Sequence, residues 1–339
     1  MNLADLNKVA EAMTAPGKGI LAADESSGTI KKRFDAINVE STEDSRRDYR
    51  EMLFRSDGMK YISGVILYDE TIRQNAADGT PLIKLIERAG GIAGIKVDEG
   101  TQPLPCCPGE TVTIGLDRLA DRLTTYYALG ARFAKWRAVI DIGPAMPSYN
   151  CLNANAHALA RYAALAQENG IVPIVEPEVL MDGGHDIETC EKVTTWVLQE
   201  VFTHLFYAGV KLEGMILKPN MIVPGKKCAK QNSVQEVAER TVKVLKQHVP
   251  GAVPGIAFLS GGQSDEEATA HLSAMNAIGK LPWGLTFSYG RALQAAPQAA
   301  WSGKTENLAK GQAAFAHRAL MNSLAALGKW TQADEKKAA

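Results

Sequence analysis

The chain has 339 residues, 46% apolar and 22% charged, with 37 Lys and Arg against 38 Asp and Glu for a formal net charge of −1. That is the balance of a globular protein able to bury its own core without disulfides or a structural metal. It argues against a nucleic-acid partner, so any affinity for an anion must come from a few cations focused in one cleft. Five cysteines (Cys106, Cys107, Cys151, Cys190, Cys228) form no CxxC pair, and reduced thiols in a cytoplasmic setting are the simplest reading. Asp5, Lys8 and Glu11 break up the apolar start, so no secretory signal is expected there, and no apolar run has membrane-spanning length.

From one end to the other, short apolar runs alternate with longer amphipathic stretches. Candidate strands are Gly19 to Asp24, Gly64 to Asp69, Ile92 to Asp98 and Phe133 to Ile140. Val172 to Glu178, Met215 to Asn220, Ile256 to Gly262 and Leu285 to Arg291 complete the set. Each is apolar on both faces, as a strand buried between helices must be. Helical spacing covers Asp117 to Leu129, Ala154 to Glu168, Ile187 to Ala208 and Ser233 to Val249. Ser233 with Glu236, and Ser264 with Glu267, have capping-box spacing. The order predicts one α/β domain over residues 1–339: a (β/α)8 TIM barrel with additional helices at both termini and a flexible tail at 330–339. A doubly wound sheet would carry a Gly-rich turn after its first strand, and GILAADESSG lacks GxGxxG.

Active sites of such barrels form where the strands end. Here the ends carry Asp24, Lys96, Lys135, Arg137, Glu176, Glu178, Lys218, Ser260-Gly261-Gly262 and Gly290-Arg291. Each has a bland explanation. Asp24 could cap a helix, Lys218 could be a solvated rim residue before Pro219, and Glu176 and Glu178 could be a stabilising ion-paired set. Accident is a poor account of all of them at once, because burying a charge on an apolar strand is costly unless it is paired or used. An amine attacks a carbonyl only when unprotonated, which a low-dielectric pocket with a second ammonium favours; Lys135 and Lys96 are available for that role beside Lys218. Glu176 could carry protons as the carbinolamine dehydrates. The glycine turns after strands seven and eight, with Arg291, suit a phosphate. The six histidines (His157, His185, His204, His248, His271, His317) fall outside the strand ends and form no HxH or HxxxH cluster, so a histidine-ligated zinc is disfavoured.

The blocks LAADESSGTIKKR, GIKVDEG, AKWR, IVPIVEPEVL, LKPNM, FLSGGQS and FSYGRALQ occur in this order over nearly the whole chain. They resemble class I fructose-bisphosphate aldolase. The resemblance implies reversible cleavage of fructose 1,6-bisphosphate to dihydroxyacetone phosphate and glyceraldehyde 3-phosphate, in glycolysis and gluconeogenesis. It implies an imine on Lys218, Glu176 as the main acid/base, and Glu178 positioning the lysines. Asp24 would contact the C4 hydroxyl, and Lys135 would supply positive charge with Lys96 in support. Ser260, Gly261, Gly262 and Arg291 resemble a C1-phosphate site, with Gly290 beside them. Ser26, Thr29, Lys32, Arg33 and Arg137 resemble the groups around a C6 phosphate. The imine is the electron sink, so no metal or organic cofactor is implied, and family members are commonly homotetramers.

Two departures stand out. Thr29 replaces a serine of animal members and keeps the hydroxyl. Animal members end in a tyrosine that exchanges a proton with the carbanion, whereas this chain ends Lys336-Lys337-Ala338-Ala339 and its last tyrosine is Tyr289. Intact cleavage with slower exchange at C3, or exchange through another group, is the expectation. A non-catalytic binding protein on the same barrel should have lost Lys218, Glu176 or Lys135, and a transaldolase would need only one phosphate site.

Overall fold

The computed structural model describes residues 2–336. Eight parallel strands close a barrel: β1 (Gly19–Ala23), β2 (Ile62–Leu67), β3 (Ile92–Lys96), β6 (Phe133–Ile140), β7 (Val172–Val179), β8 (Ile216–Leu217), β9 (Gly255–Phe258) and β10 (Gly284–Tyr289). Each pairs with its neighbours in chain order, and β1 closes the ring against β10. The strand between β3 and β6 in sequence is a small antiparallel hairpin, β4 (Thr101–Pro103) with β5 (Thr111–Thr113), which the apolar alternation did not disclose. Its exposed, polar β4 lacks the buried runs that mark the barrel strands.

Inside the ring, side chains alternate with the strand period of two. Ile20, Ile66, Phe133, Val172, Ile174, Ile216 and Ala257 form an inner apolar cluster, while Leu21, Val65, Ala134, Val175, Leu217 and Phe258 face the surrounding helices. Gly64 and Gly94 make room for the Phe133 ring: a Cβ on Gly64 would stand 2.9 Å from it, and one on Gly94 would overlap it. The helix Leu3–Met13 plugs the amino-terminal mouth with Leu6, Ala10 and Met13, which join the inner cluster. Ser63 Oγ donates to Met13 O at 2.6 Å and Asn7 Nδ2 to Glu213 O at 3.1 Å, fixing that plug. The carboxyl ends of the strands form the opposite mouth.

Helices begin where the sequence marks them, with instructive differences. Ser264 and Glu267 make a reciprocal capping box on Asp265–Ala277. Ser233 accepts from Glu236 N, but the return bond is missing because Glu236 is engaged by Asn232 Nδ2 at 2.8 Å and Arg240 Nε at 3.1 Å. The helix expected from Ala154 starts earlier, at Tyr149, under a Ser148 cap. β8 is two residues long where six were expected, since Pro219 has no N–H to extend the ladder; Lys218 N makes the last bond, to Val175 O at 2.8 Å. Of the tail 330–339, residues 330–336 lie against the body. Glu335 takes Arg318 Nη1 at 2.6 Å, His317 Nε2 at 3.0 Å and Trp330 Nε1 at 3.0 Å. Residues 337–339 are outside the described segment.

Candidate active site

Along each strand the inward row changes from apolar to ionic as it nears the carboxyl end. On β6 it reads Phe133, Lys135, Arg137; on β7, Val172, Ile174, Glu176, Glu178; β8 contributes Ile216 and then Lys218. Register pairs Lys96 with Lys135 and Arg137 with Glu176 across adjacent strands. Alternation alone thus brings these groups to one mouth, and the helices around the barrel leave them almost no water. Lys218 is 4% exposed, Glu176 and Lys135 3%, and Glu178 6%.

The buried charges pair with one another. Lys218 Nζ stands 3.1 Å from Glu176 Oε1, and Lys135 Nζ reaches Glu176 Oε2 at 3.5 Å, so one carboxylate is shared by two ammonium groups. Lys135 also contacts Asp24 at 2.8 Å and Asp98 at 3.7 Å. Burial by itself would strip its proton; the three carboxylates, Asp24 foremost, outweigh burial and hold the ammonium well above the usual lysine range. Asp24 shows the reverse balance. Burial would raise its pKa, but Lys135 and then Lys218 pull it down to about 2. Asp98 is likewise lowered against burial by Lys135 and Lys96, the latter at 2.6 Å. Arg137 Nε is bonded to Glu178.

These partners decide among the bland explanations. Ser26, not Asp24, caps the helix Ser27–Asp35, accepting from Thr29 N at 3.4 Å. Lys218 is no solvated rim residue, and Glu176 and Glu178 bind different cations.

Every residue singled out from the sequence except Gly262 lines a single cleft of ≈ 670 Å³. Asp24, Lys96, Lys135, Arg137, Glu176, Glu178 and Lys218 form its floor. Ser26, Thr29, Lys32 and Arg33 come from the helix Ser27–Asp35 and its cap, and Ser260, Gly261, Gly290 and Arg291 come from the turns after β9 and β10. Gly262 belongs to the turn after β9 but is not among the residues lining the cleft, and it lies against Lys226. Tyr289 is fully buried with its hydroxyl donating to Ala268 O at 2.8 Å, and no tyrosine among the described residues lines the cleft.

Four contributors went unrecognised. Asp98 bridges Lys96 and Lys135; its spacing of two from Lys96 was the available signal. Glu25 lines the cleft and holds Arg33 at 2.5 Å while accepting from Gln294 Nε2 at 2.7 Å. Buried Arg50 donates to the Glu25 carbonyl at 2.9 Å, a pairing across 25 residues that no local pattern announces. Ser288, two residues before Gly290, faces the cleft with a buried hydroxyl that has no hydrogen-bond partner among the described residues.

The family model "Glycolytic: Fructose-bisphosphate aldolase class-I" matches residues 5–339. A relative from Xanthomonas campestris pv. campestris, described as a probable fructose-bisphosphate aldolase class 1, is 58% identical, covering 97% of this chain and 99% of its own. Fructose-bisphosphate aldolase 4, cytosolic, of Arabidopsis thaliana is 55% identical over 92% of this chain and 80% of its own. A crystal structure of the Plasmodium falciparum aldolase, in complex with TRAP and a small-molecule inhibitor, superimposes with a TM-score of 0.96 at 49% identity, covering 97% of this chain and 96% of that one. With the barrel, the ionic mouth and these likenesses in agreement, the chain belongs to the class I fructose-bisphosphate aldolase family, enzymes of the carbon–carbon lyase type.

Proposed function

We propose that the chain cleaves fructose 1,6-bisphosphate reversibly to dihydroxyacetone phosphate and glyceraldehyde 3-phosphate through an imine on Lys218. The observation that carries this reading is the shared carboxylate: Glu176 lies 3.1 Å from Lys218 Nζ and 3.5 Å from Lys135 Nζ. Lys135 is bound to three carboxylates and keeps its charge, whereas Lys218 has one ion-pair partner among the described residues and faces the cleft. Lys218 is therefore the amine available to attack a ketone, and Lys135 the fixed positive charge beside it.

Lys218 passes its proton to Glu176 at 3.1 Å and attacks C2 through Nζ to give a carbinolamine. Glu176 returns that proton to the carbinolamine hydroxyl, water leaves, and the iminium forms with Glu176 again a carboxylate. Asp24, kept ionised by Lys135, accepts the C4 hydroxyl and orients the C3–C4 bond. As Glu176 takes the proton of the C4 hydroxyl, the electrons of the C3–C4 bond pass into the iminium and the aldehyde product departs. Protonation of the resulting enamine at C3 and hydrolysis of the imine release the ketone and restore the amine. Glu178, fixed by Arg137, keeps the charged floor in place. The phosphates would lie at the two ends, one by Ser26, Thr29, Lys32, Arg33 and Arg137, the other by Ser260, Gly261, Gly262, Gly290 and Arg291.

The same reading includes a homotetramer, a cytoplasmic location and a place in glycolysis and gluconeogenesis, supported by the family match and by the Arabidopsis relatives named as cytosolic. Borohydride reduction in the presence of dihydroxyacetone phosphate, followed by peptide mass mapping, tests the chemistry. The adduct should map to Lys218, and Lys218→Ala should not be trapped. Cleavage that survives Lys218→Ala but disappears with a chelator would replace the imine with a metal route.

A further inference from the structure

Two cations converge on the turn after β9 from elements far apart in sequence. Arg291 opens the helix Arg291–Trp301, and Lys226 belongs to the loop after β8. A Cβ on Gly262 would overlap Lys226 Nζ and stand 3.1 Å from Arg291 Nη2, so both charges lie against one glycine. Arg291 has no carboxylate partner among the described residues, and the N–H groups of Gly261 and Gly262 donate to nothing there. Two like charges beside two uncommitted donors repel unless an anion joins them.

The placement of Lys226 is built rather than incidental. Its backbone N donates to Met181 O at 2.7 Å, and the flanking Gly225 N and Lys227 N donate to His185 O at 2.8 Å and Gly183 O at 3.0 Å. A Cβ on Gly225 would overlap Gly183 O, which keeps the two loops laced together. Asp182 steadies the ammonium at 3.0 Å, but that pair is 37% and 63% exposed, so it is a weak competitor for Lys226.

We propose that Lys226 is a further phosphate-binding residue, closing with Arg291 on the phosphate held at the Ser260–Gly262 turn and so favouring phosphorylated ketones over phosphate-free ones. This rests on the aldolase reading, in which the phosphate of a ketone bound to Lys218 reaches that turn. The test is borohydride trapping at Lys218 over a range of concentrations of dihydroxyacetone phosphate, and separately of dihydroxyacetone, which lacks the phosphate. In Lys226→Met the half-saturating concentration of dihydroxyacetone phosphate rises about ten-fold, as loss of one charge-assisted contact implies. The dihydroxyacetone curve does not move, and Lys226→Arg restores the first curve to within about two-fold, because the guanidinium keeps the charge and the donors. A dihydroxyacetone phosphate curve that stays put, or one that shifts together with the dihydroxyacetone curve, overturns this inference alone. A wild-type protein that neither ketone labels overturns the aldolase reading and this inference together.

Discussion

Replacing Lys135 with methionine removes the charge on which three buried carboxylates depend while keeping most of the side-chain volume. The lost contacts, at 2.8, 3.5 and 3.7 Å, correspond to roughly 6, 5 and 4 kcal/mol of attraction at an effective dielectric of about 20. Much of that is offset by the desolvation of the lysine itself, so the net loss at pH 7.5 should be about 3–5 kcal/mol, the usual effect of breaking a buried pair. The loss should also depend on pH. Burial is the largest influence on Asp24 and Asp98 and pushes both pKa values up; Lys135 is the first of the opposing charges for each. Without it the folded-state pKa of Asp24 rises from about 2, because burial is no longer opposed by its leading charge. The depressed carboxyl of the wild type contributes stability that is fully present above pH 3.8 and is lost as the pH falls through about 2. The variant lacks much of that contribution, so the gap between the two proteins narrows as the pH falls below 3.8. Urea unfolding followed by circular dichroism at pH 7.5, 4 and 3 measures the difference. A loss below about 1 kcal/mol at pH 7.5, or an equal loss at pH 7.5 and 3, would mean that Lys135 does not hold this cluster together.

Other variants test the remaining arguments. Ser264→Ala should cost about 1 kcal/mol and Ser233→Ala less, because only the first dismantles a reciprocal capping box; thermal or urea unfolding ranks them, and the reverse order would refute the reading. Glu335→Ala leaves buried Arg318, among the described residues, with only the Thr269 hydroxyl and the Asp265 backbone and carboxyl oxygens, so a loss of about 2 kcal/mol is expected. Trypsin should then cut faster after Lys329, and an unchanged digestion rate would show that Glu335 does not anchor residues 330–336. The depressed pKa of Glu335, where Arg318 leads the groups that outweigh burial, predicts that this anchor is lost as the pH falls below 4.5 through its folded value.

The pattern of buried runs and amphipathic helices determined the barrel, because strand and helix periods are written locally and a parallel barrel needs little more than their order. The same period of two placed Lys135 with Arg137 and Glu176 with Glu178 on common faces, so the ionic mouth was legible from the strand ends. Which charge holds which was not. Lys135 draws on Asp24, Asp98 and Glu176, carried by three other strand ends, and the choice depends on barrel closure. Glu25 and Arg50 meet across a helix, Lys226 reaches the Ser260–Gly262 turn from a loop pinned by backbone bonds, and Glu335 is captured by Arg318 although its own segment reads as a solvated tail. Such pairings join segments remote in sequence, and burial, which local periodicity registers only for whole faces, sets their strength. The sequence by itself determined where charge must gather; only the closed tertiary structure, by excluding water and fixing distances, decided which of those charges are shared.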